Sequence, residues 1–219
     1  MFIDMRFNSV KYPGQYLDYM FYQPESSETI PLLMYLPGAG CRGTSLRQIG
    51  TGGFISNVIA KGGLPARIII PQCRFETWFD HYHILCEFLE SHINAPEVDK
   101  CRVYLTGASM GAYAVWQLCI SHPEWISAAV PVCGGGMYWN AGRLKDIPVW
   151  AFHGEKDDVV LCCESQHMTD RINMAGGNAK LTLLPEANHN AWDPAYSCEE
   201  MWQWLFQQKK CEEMINFVK

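Results

Sequence analysis

Arg102-Val103-Tyr104-Leu105-Thr106-Gly107-Ala108-Ser109-Met110-Gly111-Ala112-Tyr113-Ala114-Val115-Trp116-Gln117-Leu118 is the stretch on which the reading of this chain turns. The run from Arg102 to Thr106 is β-branched and aromatic and reads as a short strand. From Ala112 onward the residues read as helix. Strand, Gly-x-Ser-x-Gly, then helix is the pattern of a nucleophile elbow. Such a turn is tight, so the residues two before and two after the serine must be small. Both are glycine here, with Ala108 beside them. An elbow lifts the Ser109 hydroxyl clear of the sheet and aims the Met110 N–H at the place where an oxyanion would form. The plainer reading is a Gly-Ser turn without chemistry; the flanking strand and helix weigh against it.

The rest of the chain supplies a frame for that turn. Phe2 to Phe7 and Tyr16 to Tyr22 read as antiparallel edge strands joined through Pro13-Gly14. After Pro31, strands and helices alternate. Leu32–Leu36, Arg67–Ile70, Ala128–Cys133, Val149–Phe152 and Leu181–Leu184 read as strands. Phe54–Lys61 reads as a helix closed by Gly62-Gly63. Thr77-Trp78-Phe79-Asp80 reads as the start of a helix that runs to about Asn94, and Ser197-Cys198-Glu199-Glu200 as the capping box of the last one. Met168, Ile172 and Ala175 share a helical face. Continuous apolar strands alternating with helices predict an α/β fold: a mostly parallel central sheet with antiparallel N-terminal edge strands, helices on both faces and no large lid domain. No linker or repeat divides residues 1–219, so one domain is expected.

A serine alone is a poor nucleophile; it needs a base, and the base needs a group to orient it. Chains built around this elbow carry the partners in the order Ser, Asp or Glu, His. In parallel sheets they sit just beyond the strand C-termini. Of seven histidines, only His189 follows a late strand, in Pro185-Glu186-Ala187-Asn188-His189. His81, His83 and His92 come too early, His122 leaves the elbow helix, His153 precedes the acidic candidates and His167 lies within a helix. The acid must follow Val149–His153, where Glu155, Asp157 and Asp158 compete; Asp157 is preferred, then Asp158, then Glu155. The second oxyanion donor belongs to the loop Leu36-Pro37-Gly38-Ala39-Gly40, at the Ala39 N–H. Trp78, Trp139 and Trp192 sit in loops near the expected active edge and are the candidate substrate contacts.

Several motifs together resemble a family. They are Pro37-Gly38-Ala39-Gly40-Cys41-Arg42-Gly43, Pro71-Gln72-Cys73, Leu105-Thr106-Gly107-Ala108-Ser109-Met110-Gly111, Pro148-Val149-Trp150-Ala151-Phe152-His153-Gly154, and His189-Asn190-Ala191-Trp192-Asp193-Pro194-Ala195-Tyr196. With them the chain resembles compact α/β-hydrolase esterases related to the phospholipase/carboxylesterase group, including feruloyl and acetyl esterases and "predicted peptidases". The resemblance spans roughly residues 16–210. It implies an α/β-hydrolase fold and a triad of Ser109, Asp157 and His189. It also implies ester hydrolysis through an acyl-enzyme, on short-chain or aromatic acyl esters that include carbohydrate-linked ones. The family usually has His-Gly where this chain has Pro37-Gly38, and proline has no N–H. It also commonly has a proline after the valines, where this chain has Leu161-Cys162-Cys163.

Composition narrows the alternatives. The net charge of −6 argues against nucleic acid. The longest uncharged run, Val103 to Pro123, is broken by glycines and polar residues, so no membrane partner is expected. The first residues carry no signal-like apolar segment, so a cytoplasmic chain is expected, with its ten cysteines as free thiols. Cys162-Cys163 with His167 is a weak metal pattern, since adjacent cysteines rarely chelate one zinc well; no metal and no cofactor are expected. Gly38-Ala39-Gly40-Cys41-Arg42-Gly43 fits a dinucleotide fingerprint, but no Asp or Glu occurs between Glu28 and Glu76 to hold a ribose. A serine peptidase or a non-catalytic module on the same fold are the other readings.

Overall fold

Strands whose residues are apolar throughout need cover on both faces, and the helices of this chain provide it. The computed structural model describes residues 1–43, 45–49 and 53–210. Its strands are β1 (Ile3–Asn8), β2 (Tyr16–Tyr22), β3 (Ile30–Leu36), β4 (Arg67–Pro71), β5 (Val98–Ala108), β6 (Ala128–Val132), β7 (Val149–Gly154) and β8 (Ala179–Leu184). They form one sheet in the order β1-β2-β4-β3-β5-β6-β7-β8. β1 pairs with β2 and β2 with β4 antiparallel; all other pairs are parallel. The helices are α1 (Gly53–Ala60), α2 (Tyr82–Ile93), α3 (Met110–Ser121), α4 (Cys163–Met174), α5 (Trp192–Ser197) and α6 (Glu199–Gln207). Among the described residues no helix is long and apolar enough to cross a membrane.

Side chains alternate between the two faces of a strand, so each buried strand feeds two cores. Leu32, Met34 and Leu36 of β3, with Val103 and Leu105 of β5, pack toward α2, α3 and α4. Leu33 and Tyr35, with Tyr104, pack on the other face with Phe54 of α1, Tyr196 of α5 and Trp202 of α6. α3 is apolar on nearly every side, and accordingly Ala112, Ala114, Val115, Trp116, Leu118, Cys119 and Ile120 are all buried. From β3 the chain crosses to β4 on one side, then returns to place β5 on the other. The strand order therefore reverses between β3 and β5. Loops leaving a sheet at such a point part to opposite faces and open a crevice at the strand C-termini. The loop after β3 and the turn after β5 border it.

Two local expectations need correction. The predicted helix from Thr77 opens instead as a 3-10 turn, Trp78–His81, before α2 begins; its capping box is present, with the Phe79 N–H donating to Thr77 Oγ1 (3.2 Å) and the Thr77 N–H to Asp80 Oδ2 (2.8 Å). Ser197 does not cap α6. It ends α5 and its hydroxyl donates to Asn57 Oδ1 at 3.1 Å, while Cys198 takes the cap position with no side-chain bond. Two short helices meet there, and the serine is used by the first.

The edge hairpin is tied to α2 by a buried carboxylate. Glu87 accepts from the Val10 N–H (2.8 Å), the Lys11 N–H (3.0 Å) and the Ser9 hydroxyl. Removing it would strand three donors, one of them on the buried Ser9. Charge-assisted bonds of this kind contribute about 1.5–3 kcal/mol each, less than additively. Glu87→Ala should therefore lower the unfolding free energy by about 2–4 kcal/mol in urea denaturation, without altering the reactivity of Ser109 toward a fluorophosphonate.

Candidate active site

Ser109 lies between the end of β5 and the start of α3, with φ 53° and ψ −120°. A non-glycine residue seldom adopts positive φ, and the surroundings show how it is held. The Ser109 N–H donates to the Val132 carbonyl of β6 (2.9 Å), and the Ser109 carbonyl accepts from Ala112 (2.8 Å) and Tyr113 (3.2 Å). A Cβ at Gly107 would come within 2.8 Å of the Gly111 backbone and 2.9 Å of the Leu36 carbonyl oxygen. At Gly111 it would fall onto that same oxygen. The two glycines let the elbow press against the end of β3.

His189 stands in the loop after β8. Its Nε2 lies 2.8 Å from Ser109 Oγ and its Nδ1 2.8 Å from Asp157 Oδ2. An ionised carboxylate only accepts, so Nδ1 carries the proton and Nε2 is free to accept from the serine hydroxyl. Asp157 Oδ1 accepts from the N–H groups of Val159 and Val160, both at 2.9 Å. Asp157 is buried, whereas Glu155 and Asp158 are exposed. Of the three acids, only Asp157 meets His189 in the structure. Burial pushes its carboxyl up, but the His189 bond and the two backbone N–H groups outweigh that and hold it below the usual carboxylate range.

The loops that carry Asp157 and His189 are joined along their backbones. Glu155 N–H donates to Leu184 O and Lys156 N–H to Ala187 O, both at 3.0 Å. A side chain at Gly154 would run into the Ala187 and Asn188 carbonyl oxygens, so glycine is what allows the approach.

After β3, Gly38 passes so close to the elbow that a Cβ there would meet Ala108 O at 3.1 Å. Residues Ala39–Cys41 then make one 3-10 turn. Ala39 and Met110 are each the first residue of a helix, where an N–H has no intrahelical acceptor. Pro37 does not disrupt this loop, because its carbonyl accepts from Trp78 Nε1 (3.0 Å) and fixes the corner. Gln72, fully buried, donates to the Cys41 carbonyl (2.5 Å). Among the described residues no α-helix opens on Gly38–Gly43, so the dinucleotide reading lacks the helix N-terminus it requires there.

The tryptophans separate. Trp192 lines a cavity of about 440 Å³ together with Ser109, His189, Ala39, Tyr35 and Val159. Its ring stands perpendicular to the His189 imidazole, with centroids 5.5 Å apart. Trp78 is a correction: at 1% exposure it has no face to offer a ligand and serves as the prop behind Pro37. Trp139 is also a correction. It is exposed beside Arg143, Arg171 and Met174 and does not line the Ser109 cavity. Residue type marked all three as candidates; only packing distinguishes a prop from a wall. A groove of about 480 Å³ between the N-terminal strands and α1 lies apart from this chemistry.

Cys162, Cys163 and His167 do not gather as a ligand set; among the described residues the one close trio of His, Cys, Asp or Glu is Cys133, Asp157 and His189. Burial pushes the Cys133 thiol up to about 12, so it stays protonated and is a poor metal ligand. Cys41, Cys73, Cys86, Cys119, Cys133, Cys162, Cys163 and Cys198 are free thiols.

No protein-family model and no curated protein matches this chain. Solved structures do. A thermostable esterase is 26% identical with a TM-score of 0.83, over 95% of this chain and 63% of its own. A ferulic acid esterase is 13% identical with a TM-score of 0.73, over 94% and 98%. An acylaminoacyl peptidase from Pyrococcus horikoshii is 13% identical with a TM-score of 0.72, over 100% and 44%. The chain thus spans less than two thirds of the thermostable esterase and less than half of the peptidase. With the sheet order above, these likenesses show the α/β-hydrolase fold.

A depressed folded-state pKa makes Asp157 stabilising above its unfolded value, near 3.9, and that contribution fades as pH falls through the folded value. Asp157→Asn should be less stable than wild type at neutral pH. The gap should narrow as pH is lowered from about 5 toward 2, followed by urea midpoints at each pH.

Proposed function

We propose that this chain is a serine-dependent carboxylic ester hydrolase that works through an acyl-enzyme on a small-molecule ester. The observation that carries the reading is the unbroken relay from Ser109 Oγ to His189 Nε2 and from His189 Nδ1 to Asp157 Oδ2, both links at 2.8 Å. Ser109 Oγ attacks the ester carbonyl carbon while its proton passes to His189 Nε2. The carbonyl oxygen becomes an oxyanion held by the Ala39 and Met110 N–H groups, each such donor contributing about 3–4 kcal/mol in the transition state. The intermediate collapses, the C–O bond to the alcohol breaks, and His189 returns the proton to the leaving alkoxide. Water then repeats the sequence on the acyl-serine and releases the acid. Asp157 orients His189 throughout and stabilises its imidazolium.

The acyl group occupies the cavity beside Trp192 and Tyr35. The connection from β6 to β7, Cys133 to Pro148, holds one 3-10 segment, Tyr138–Leu144, which packs on α3 and α4, and none of its residues lines the cavity. A long alkyl chain therefore gains less than the ~0.8 kcal/mol per CH₂ of full burial, whereas a flat acyl group stacks on Trp192 for about 0.5–1.5 kcal/mol more. Short and aromatic acyl esters are the proposed substrates, carbohydrate-linked esters among them.

Ser109→Ala should fold normally, lose nearly all ester hydrolysis and no longer be labelled by a fluorophosphonate; labelling at another serine would overturn the assignment. Asp157→Asn should lower kcat by about 10⁴-fold, as in the serine-protease case, and Asp158→Asn far less. Activity on the anilide equal to that on the matching ester would favour the peptidase reading.

For substrate choice, kcat/KM should be higher for acetyl and feruloyl esters than for the dodecanoyl ester. Trp192→Ala should lower the feruloyl value about 2- to 10-fold more than the acetyl value. A dodecanoyl ester that wins would mean a deep acyl tunnel instead of an open cleft.

A further inference from the structure

Asp157 has a second histidine beside it. His153, at the end of β7, is fully buried, and its Nε2 lies 3.2 Å from Asp157 Oδ2 on the carboxylate already bonded to His189. The same nitrogen bonds the Val160 carbonyl at 2.9 Å. On the other side of the ring, Nδ1 lies 2.8 Å from Ser165 Oγ, and that hydroxyl is 2.8 Å from the Gly134 carbonyl. A polar ring with no water contact persists in a core only when its bonds are made, and here both nitrogens are engaged.

The partners dictate where the proton sits. A peptide carbonyl and a carboxylate can only accept. Nε2 faces one of each, so it must be a donor. Ser165 has one hydroxyl proton and can give it either to Nδ1 or to Gly134. In both cases Nε2 keeps its hydrogen. The positive end of that N–H then faces Asp157 Oδ2 while the bond itself closes the turn 157–160 at the Val160 carbonyl. Asp157 Oδ1 is held by the Val159 and Val160 N–H groups of the same turn. His153 thus braces both the carboxylate and the turn whose backbone grips it.

We propose that His153 is a positioning residue for Asp157. It carries a proton on Nε2, donates to the Val160 carbonyl beside the carboxylate, and fixes the rotamer from which Asp157 accepts from His189. The role rests on the reading of Asp157 as the group that orients His189. His153 touches neither substrate nor Ser109. Its effect reaches the reaction through the His189 imidazole, which serves acylation and deacylation alike.

Three variants and one spectrum test it. The amide nitrogen of glutamine reaches the place of Nε2; that of asparagine reaches only the place of Nδ1. His153→Leu should lower kcat for p-nitrophenyl acetate roughly 10- to 100-fold, the scale of an ångström of misplacement in a catalytic group. KM should stay within about twofold, because both half-reactions slow together. His153→Gln should recover most of the rate and His153→Asn should not. Rates for His153→Leu within twofold of wild type, or equal rescue by Asn and Gln, would overturn the proposal. If His153→Leu does not fold, the Gln and Asn pair at matched stability decides.

Independently of any activity, long-range ¹H–¹⁵N correlation on histidine-labelled wild type should show His153 protonated at Nε2. A bare Nε2 would overturn the proposal. This spectrum also separates the two readings: loss of the hydrolase assignment through an active Ser109→Ala would leave the His153 tautomer measurable and the bracing of Asp157 still decided by it.

Discussion

The contact between Gly111 and the Leu36 carbonyl is the constraint from which the site is built. Any side chain at Gly111 would occupy the position of that oxygen, so α3 can start against the end of β3 only as glycine. The approach forces the chain to reverse within a single residue, and Ser109 takes up the positive φ. Backbone strain of that kind costs about 1–3 kcal/mol; the bonds from Ser109 to Val132, Ala112 and Tyr113 offset it. Since β3 also launches the loop that carries Ala39, one close backbone contact sets the distance between Ser109 and the Ala39 N–H.

A second close backbone contact shapes the other side of the crevice. β7 and β8 run in register to their ends, Gly154 opposite Leu184. The loops that leave them therefore start level and exchange backbone bonds at once. Gly154 permits the contact and Asp157 turns inward beneath it. His189 is held from both ends of its ring, by Asp157 and by Ser109. In the proposed reaction, groups fixed in this way would need little reorganisation, which is where preorganised polar groups are most effective.

Behind these groups stand residues whose work is mechanical. Trp78 and Gln72 pin the Pro37–Cys41 loop through its carbonyl groups, and Ser165 and His153 line the back of the acid turn. They are buried polar or amphipathic side chains, each hydrogen-bonded to a loop carbonyl or to one another, and such bonded networks rigidify a core. Nothing in their residue type announces such a role. Trp78 reads from sequence as a ligand-stacking face and His153 as a strand-end histidine out of order.

What the sequence determined by itself were the features that depend on near neighbours. Alternating apolar strands and helices predict the covered parallel sheet, the paired glycines around Ser109 predict the turn, and chain order singles out His189. Each follows from steric or periodic rules that act over a few residues. The tertiary structure decided the rest. Glu155, Asp157 and Asp158 are equivalent carboxylates in one turn, and only packing buried the middle one against a histidine 32 residues away. Ser109 and His189 meet across 80 residues of chain. The same packing turned Trp78 inward, left Trp139 outside the cavity and put Trp192 on its wall. Which side chain faces which group depends on how distant loops are brought level by the sheet, and no local pattern encodes that meeting.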